Sequence, residues 1–260
     1  MKVTLLAHTQ LSDEYLKVLK DELGVNNSIE LLESATPGDI VSLTAIRTCY
    51  SHRKPTEIVA VEGNKYFGER GSEANRLFNH IVNSGHTSTL EHINFTFAVE
   101  GVSRALLAQL TRHRVGWSYS VQSQRYTKLS SDSRSGGFGY VVPDSIKALE
   151  GEWWVDIGTD LPPMMTAQEV FEELMMPNIQ AMYDRLVEMG IPQEDARSVL
   201  PNAATTNLVV TCNLRALIDF AGKRDRNKGA QSEIAQLADV MKQKVKAVEP
   251  RLAEFLEGTE

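Results

Sequence analysis

Arg112-His113-Arg114 is followed nine residues later by Ser123-Gln124-Arg125-Tyr126, in a chain whose net charge is −7. Cations gathered on an acidic background make a focused field rather than a coat for a long polyanion. A planar guanidinium fork grips phosphate or carboxylate through two parallel bonds. The spacer Val115-Gly116-Trp117-Ser118-Tyr119-Ser120-Val121-Gln122 adds hydroxyls, an amide and flat rings, which suit a planar phosphorylated ligand. The chemistry on offer is nucleotide binding. A solvated, Arg-rich helix end is the competing reading, and on these residues alone the two stand level.

Three further clusters carry usable groups. Gly85-His86-Thr87-Ser88-Thr89-Leu90-Glu91-His92 is a hydroxyl-rich loop, where His86 and Ser88 either bond a ligand or serve as a plain helix cap. Its two histidines lack the i, i+4 spacing that shares a helical face, so no metal site is expected. Glu194-Asp195-Ala196-Arg197 reads as a surface ion pair worth little. Asn213-Leu214-Arg215 opens a helix that leads to Arg224 and Arg226, and capping alone would explain the Asn. Ser123 has no base paired with it in the sequence, so a nucleophilic role is disfavoured.

The elements that must position these groups follow from periodicity. Met1 to His8 reads as a first strand, and residues 93–100 alternate apolar and polar strictly, as a half-buried strand that Gly101 ends. Residues 204–212 are β-branched and strand-like. Residues 38–50 read as a helix with Ile40, Leu43, Ile46 and Cys49 on one face. Ser72 caps a second helix that stops at Gly85, and Ser103 starts a third that runs into Arg112. A helix C-terminus favours cations, which is a structural reason for the basic run. Thr166 and Glu169 form a capping box for a Met-rich helix through Met189, bent or split at Pro177, whose methionines are expected to pack in the core. A short helix follows from Gln193 to Leu200, and two more cover 213–224 and 230–247. Residues 129–140, rich in Ser and Gly, read as a mobile surface loop.

Composition narrows the class. Hydrophobic content of 42% and charged content of 23% are those of an ordinary soluble globular protein, here read as one domain over residues 1–260. The acidic balance argues against a nucleic-acid coat or a membrane-surface binder. No run is long and apolar enough to span a bilayer, and none resembles a signal peptide. Cys49 and Cys212 make no disulfide framework or Cys-x-x-Cys pair, so a reducing cytoplasm is the expected location.

Taken together, these pieces resemble the flavin-dependent thymidylate synthases, whose signature is Arg-His-Arg, a spacer, then Ser and usually Arg-Tyr. Around it stand, in family order, Ala45-Ile46-Arg47-Thr48-Cys49-Tyr50-Ser51, the 85–92 loop, Ala196-Arg197-Ser198-Val199-Leu200-Pro201, Asn213-Leu214-Arg215 and Ala230-Gln231-Ser232-Glu233-Ile234, over residues 37–240. The resemblance implies an α+β fold, with a central, mostly antiparallel sheet flanked by helices and no Rossmann unit. That agrees with the missing Gly-x-Gly-x-x-Gly. It implies a homotetramer with shared active sites that binds FAD and methylates dUMP to dTMP. 5,10-methylenetetrahydrofolate would be the carbon donor and NADPH the reductant.

Carried over by position, Arg112, His113, Arg114, His86, Ser88, Asn213, Arg215 and Asp219 would hold the flavin. Gln109, Ser123, Gln124, Arg125, Arg197 and Arg224 would hold dUMP, and the folate would stack near His86. Arg224 at the uracil carbonyl edge would withdraw electron density, while a guanidinium beside reduced flavin would stabilise its charge. Arg224, Ser123 and His86 are therefore the candidates nearest the chemistry.

The chain departs from the pattern in places. Its spacer is one residue longer, with Gly116-Trp117 absorbing the excess, and Ser120, Val121 and Gln122 are each left open to face the ligands. Val121 replaces an acidic or amide residue and Lys223 an apolar one. An extra residue near Gly229 makes Arg226 a rival to Arg224. The alternatives are a hydroxymethyl-forming enzyme of the same cofactors and a non-enzymatic nucleotide- or RNA-binding protein.

Overall fold

The computed structural model describes residues 1–68, 72–159 and 162–257. Six strands are present among them: β1 (Lys2–His8), β2 (Asn94–Ser103), β3 (Trp117–Val121), β4 (Trp153–Trp154), β5 (Met164–Met165) and β6 (Thr205–Asn213). Four of these form one antiparallel sheet in the order β1-β2-β6-β3, and β4 and β5 pair as a separate hairpin. Helices pack on the sheet, so the expected α+β class holds.

Period-two patterning decides which face they cover. Phe95, Phe97 and Val99 of β2, Val210 and Cys212 of β6 and Trp117 of β3 are buried together in the core. Their neighbours Thr96, Ala98, Val209, Thr211, Ser118 and Ser120 alternate onto the opposite face, where Val209, Ser118 and Ser120 are exposed and Thr96, Ala98 and Thr211 half-buried. Burying a Phe or Leu fully contributes about 1.5–3 kcal/mol, so the covered face sets the register. Against it lie the helices Pro37–Tyr50, Leu214–Lys223 and Ser232–Val248. No helix among the described residues is long and apolar enough to cross a membrane.

Several local expectations are revised. Gly101 does not end β2; it sits at φ +67° in a register shift between Val99 and Val102, and the strand resumes to Ser103. Such a bulge needs a left-handed residue and bends a strand without terminating it. Cys49 is exposed, unlike Ile40, Leu43 and Ile46. A step of three residues lags the 3.6-residue turn, so three steps rotate Cys49 away from the face that Ile40 occupies. The Met-rich helix breaks into a π-helical stretch, Val170–Met175, ahead of Met176–Glu188, where Pro177 lies in the first turn and needs no donor. Met176 is buried, but Met164, Met175, Met182 and Met189 are exposed, so core packing does not describe the set.

Residues 129–140 are tied to the helix Met176–Glu188: Gln180 Nε2 donates to Leu129 O, and Ser131 N and Phe138 N donate to Asp184 and Gln180. The helix after residue 71 runs Ser72–Asn83, but the proposed cap by the Ser72 side chain lies outside the described residues.

Candidate active site

The start of β3, the start of β2 and the end of β6 meet at one end of the sheet, where Asn94 pairs Asn213 and Trp117 pairs Cys212. Ser103 caps the helix Arg104–Leu110 by accepting from Leu106 N, and the chain then turns through Arg112-His113-Arg114 into β3. Tyr119 OH clamps that turn, donating to Leu110 O at 2.9 Å and His113 O at 2.8 Å. Gly116 closes it at φ +74°, with its carbonyl accepting from Asn213 N at 3.1 Å. A Cβ there would stand 2.6 Å from Asn213 Nδ2 and 2.9 Å from Ala216 Cβ. Asn213 in turn caps the helix Leu214–Lys223 through Ala216 N at 2.9 Å. The spacer thus opens with a glycine turn seated on the Asn213 cap, and Trp117 already belongs to β3.

Arg112 and Arg114 are exposed, and their side chains make no hydrogen bond or ion pair among the described residues. His113 points inward, its side chain 8% exposed. Its ring lies edge-on to Phe220 at 5.1 Å and 6.1 Å from Trp117. Arg224 Nε donates to His113 Nε2 at 3.2 Å, and Arg224 Nη2 donates to Gln109 O at 3.3 Å. Asp219 Oδ2 lies 3.8 Å from His113 Nδ1 and also accepts from Lys223 Nζ at 2.9 Å. Burial, then the neighbouring Arg224, hold the His113 pKa below its usual value, while Asp219 pulls the other way. Arg226 turns elsewhere, 3.7 Å from Asp239. The two rival arginines therefore face different surroundings, and only Arg224 reaches the signature turn.

The 85–92 loop joins the same end. Thr87–His92 is a 3₁₀ turn packed on the helices Pro37–Tyr50 and Leu214–Lys223, and it contains Ser88. His86 precedes it, with Tyr50 OH 2.9 Å from His86 Nδ1. Glu91 takes Arg215 at 2.5 Å. Among the described residues no three of His, Cys, Asp or Glu gather as metal ligands.

The second basic group leaves the far end of β3. Val121 packs against the core, Gln122 Oε1 accepts from Asn207 Nδ2 at 2.8 Å, and Ser120 lies on the open sheet face. Ser123 Oγ accepts from Arg125 N at 3.2 Å. Arg125 Nε pairs with Glu194 Oε2 at 2.7 Å, and Arg197 Nε donates to the Glu194 carbonyl at 2.9 Å. One residue therefore gathers both arginines, and the carboxylate takes Arg125 where the sequence spacing suggests Arg197. Gln124 is buried with its Nε2 unpartnered.

The structure thus sorts the candidates into two sets. Gln109, Arg112, His113, Arg114, Asn213, Arg215, Asp219 and Arg224 share one end of β3 with His86 and Ser88, while Ser123, Gln124, Arg125 and Arg197 share the other. A five-residue strand separates them by roughly 16 Å at ~3.3 Å per residue. Tyr50, Glu91, Glu194 and Gln231, whose Oε1 accepts from Gln109 Nε2 at 3.3 Å, are further polar partners of these groups. Their link to the site is tertiary, and only membership of the family-like pieces marked Tyr50, Glu91 and Gln231 beforehand.

Residues 30–251 match the family model described as thymidylate synthase complementing protein. The flavin-dependent thymidylate synthase of Geobacter sulfurreducens is 44% identical over 181 residues, covering 70% of this chain and 68% of its own. That of Clostridium tetani is 35% identical over 235 residues, covering 87% of this chain and 85% of its own. Among solved structures, the UMP/dUMP methylase PolB from Streptomyces cacaoi, bound with 5-Br dUMP, superposes with a TM-score of 0.65 at 23% identity, covering 98% of this chain and 94% of that one. The fold is therefore shared with that protein, and the family match spans β2, β3, β6 and both basic sets, leaving out β1. The chain belongs to the flavin-dependent thymidylate synthases.

Proposed function

We propose that the two ends of β3 serve two ligands of a flavin-dependent thymidylate synthase, which methylates dUMP to dTMP with FAD, 5,10-methylenetetrahydrofolate and NADPH. The observation that carries the reading is the contrast between Arg112 and Arg114, exposed and unpaired among the described residues, and Arg125 and Arg197, gathered on Glu194. The donor set fits FAD: two free guanidinium groups suit its pyrophosphate, and Ser88, Asn213 and Arg215 at the same end supply further polar groups. Bound there, FAD supplies the redox chemistry that reduces the transferred one-carbon group.

The chain's own residues do the positioning. Arg125 and Arg197 take the dUMP phosphate, with Ser123 and Gln124 beside them. Arg224 and Gln109 meet the base, where Arg224 polarises the uracil carbonyl edge and so favours attack at the ring. His86, braced by Tyr50, meets the folate on this reading. The nucleotide's phosphate and base call on opposite ends of β3, whose backbones lie roughly 16 Å apart along the strand. In a homotetramer with shared sites, each site would draw its Arg125 end and its Arg112 end from different copies. The chain acts on small molecules, with no nucleic acid or membrane as partner, in the cytoplasm.

A visible absorption spectrum of the purified protein, followed anaerobically after NADPH with and without dUMP, tests this. A flavin band that bleaches faster with dUMP supports it, and mass spectrometry of the product separates a methyl from a hydroxymethyl group. A colourless protein that does not take up FAD overturns it.

A further inference from the structure

His113 stands in the middle of the basic signature, yet it is the one member of the triplet whose side chain faces away from solvent. An arginine Nε–H needs an acceptor with a free lone pair, and an imidazole provides one only when neutral. The Arg224 Nε to His113 Nε2 bond at 3.2 Å therefore requires the tautomer with its proton on Nδ1. The Asp219 carboxylate lies on that side, at 3.8 Å, where it acts by charge rather than as a direct hydrogen bond. Phe220 and Trp117 hold the ring from two directions. Arg224 itself is the residue that ends the helix Leu214–Lys223, and its side chain folds back to Gln109 O. Two of its five N–H groups are thus spent on the protein, which leaves three in a fixed fork.

We infer that His113 and Asp219 are positioning residues for Arg224: the carboxylate selects the Nδ1–H tautomer, and Nε2 then aims the guanidinium. This rests on the reading that Arg224 meets the nucleotide base. It gives the central His of the triplet a role apart from its flanking arginines, which face the cofactor. A protonated His113 would present an N–H and a positive charge to Arg224 and release it.

His113→Phe keeps the ring packing and removes the acceptor, while His113→Gln returns an acceptor oxygen near the Nε2 position. His113→Phe is expected to lower kcat, measured per bound FAD, by about 10–100-fold, the size of a misaimed catalytic group, with the dUMP KM and thermal midpoint little changed. His113→Gln should recover most of the loss. Once Arg224→Ala has removed the group being aimed, adding His113→Phe should cost nothing further. Asp219→Asn should fall between the wild type and His113→Phe. Wild-type kcat in His113→Phe, or losses that multiply in the double variant, overturns the positioning role and leaves the Arg224 reading intact. Wild-type kinetics in Arg224→Ala removes that reading, and the positioning role with it.

Discussion

Gly116 shows how one residue can hold the two halves of a binding end together. Its φ of +74° is unfavourable for any L side chain, and an added Cβ would press on Asn213 and Ala216 at under 3 Å. Gly116→Ala is expected to cost about 1–3 kcal/mol of stability from backbone strain. It should also displace the Asn213 cap, so FAD bound per chain should fall with the thermal midpoint. An unchanged flavin absorbance ratio would mean that the cap and the signature turn need not touch.

Arg125 behaves differently. Its pair with Glu194 is half-exposed and so contributes little, and a doubly charged dUMP phosphate bound there would displace that carboxylate readily. Arg125→Ala should weaken dUMP by about 1.5–3 kcal/mol without releasing FAD, as calorimetric titration would read. Equal affinity in the variant would remove Arg125 from the phosphate site. The identity of these arginines is legible in the sequence because their chemistry is local. That Glu194 takes Arg125 is not, since 69 positions separate them and only folding makes them neighbours.

At the scale of elements, β2 and β6 are legible because one face of each is buried and writes an unbroken alternation. β3 is hidden by its own composition: Trp117, Tyr119 and Val121 face the core while Ser118 and Ser120 do not, a period of two inside a spacer that also suits a ligand. Once the strand is seen, the open choice among Ser120, Val121 and Gln122 narrows, because Val121 is packed and Gln122 is bonded to Asn207.

A joint between elements invites a test by pH. Glu249 is 1% exposed and accepts from Gly38 N at 3.0 Å and from Thr36 Oγ1, at the N-terminus of the helix Pro37–Tyr50. The helix end and these donors favour the ionised carboxylate. Burial outweighs them and, with Asp39 nearby, raises the pKa from 4.5 to about 7. The folded state thus holds this proton more tightly than the unfolded chain does. Its contribution is complete below about 4.5 and is lost as pH rises to about 7. The loss is at most roughly 3 kcal/mol, at ~1.36 kcal/mol per pKa unit. Glu249→Gln should therefore gain stability relative to the wild type between pH 5 and pH 8 in urea unfolding. Parallel stability curves for the two proteins would show that the carboxylate does not titrate there.

For the whole molecule, the decisive fact is that the two basic sets are held apart by a rigid strand. A sheet strand does not shorten, so the backbones of the two sets keep their separation within one chain. The outer sheet face, with Val209, Ser118 and Ser120 exposed, offers a surface on which a second copy could complete what one chain lacks. Periodicity marks that face as polar or small but gives no hint of a partner, which is why assembly enters only through the resemblance. Two defective chains should then rescue each other. Arg112→Ala and Arg125→Ala damage opposite ends, and each alone should be nearly inactive at dUMP concentrations well below saturation of the variant. If each site takes one end from each of two copies, random mixing in co-expressed hybrids leaves roughly one site in four intact, because symmetric assembly samples both ends independently. Activity restored to about that share in hybrids, with none in a mixture of pre-assembled single variants, would establish sharing across subunits. Hybrids no more active than the average of the two parents would place each complete site in a single chain, and β3 could not then be the rigid spacer between its halves.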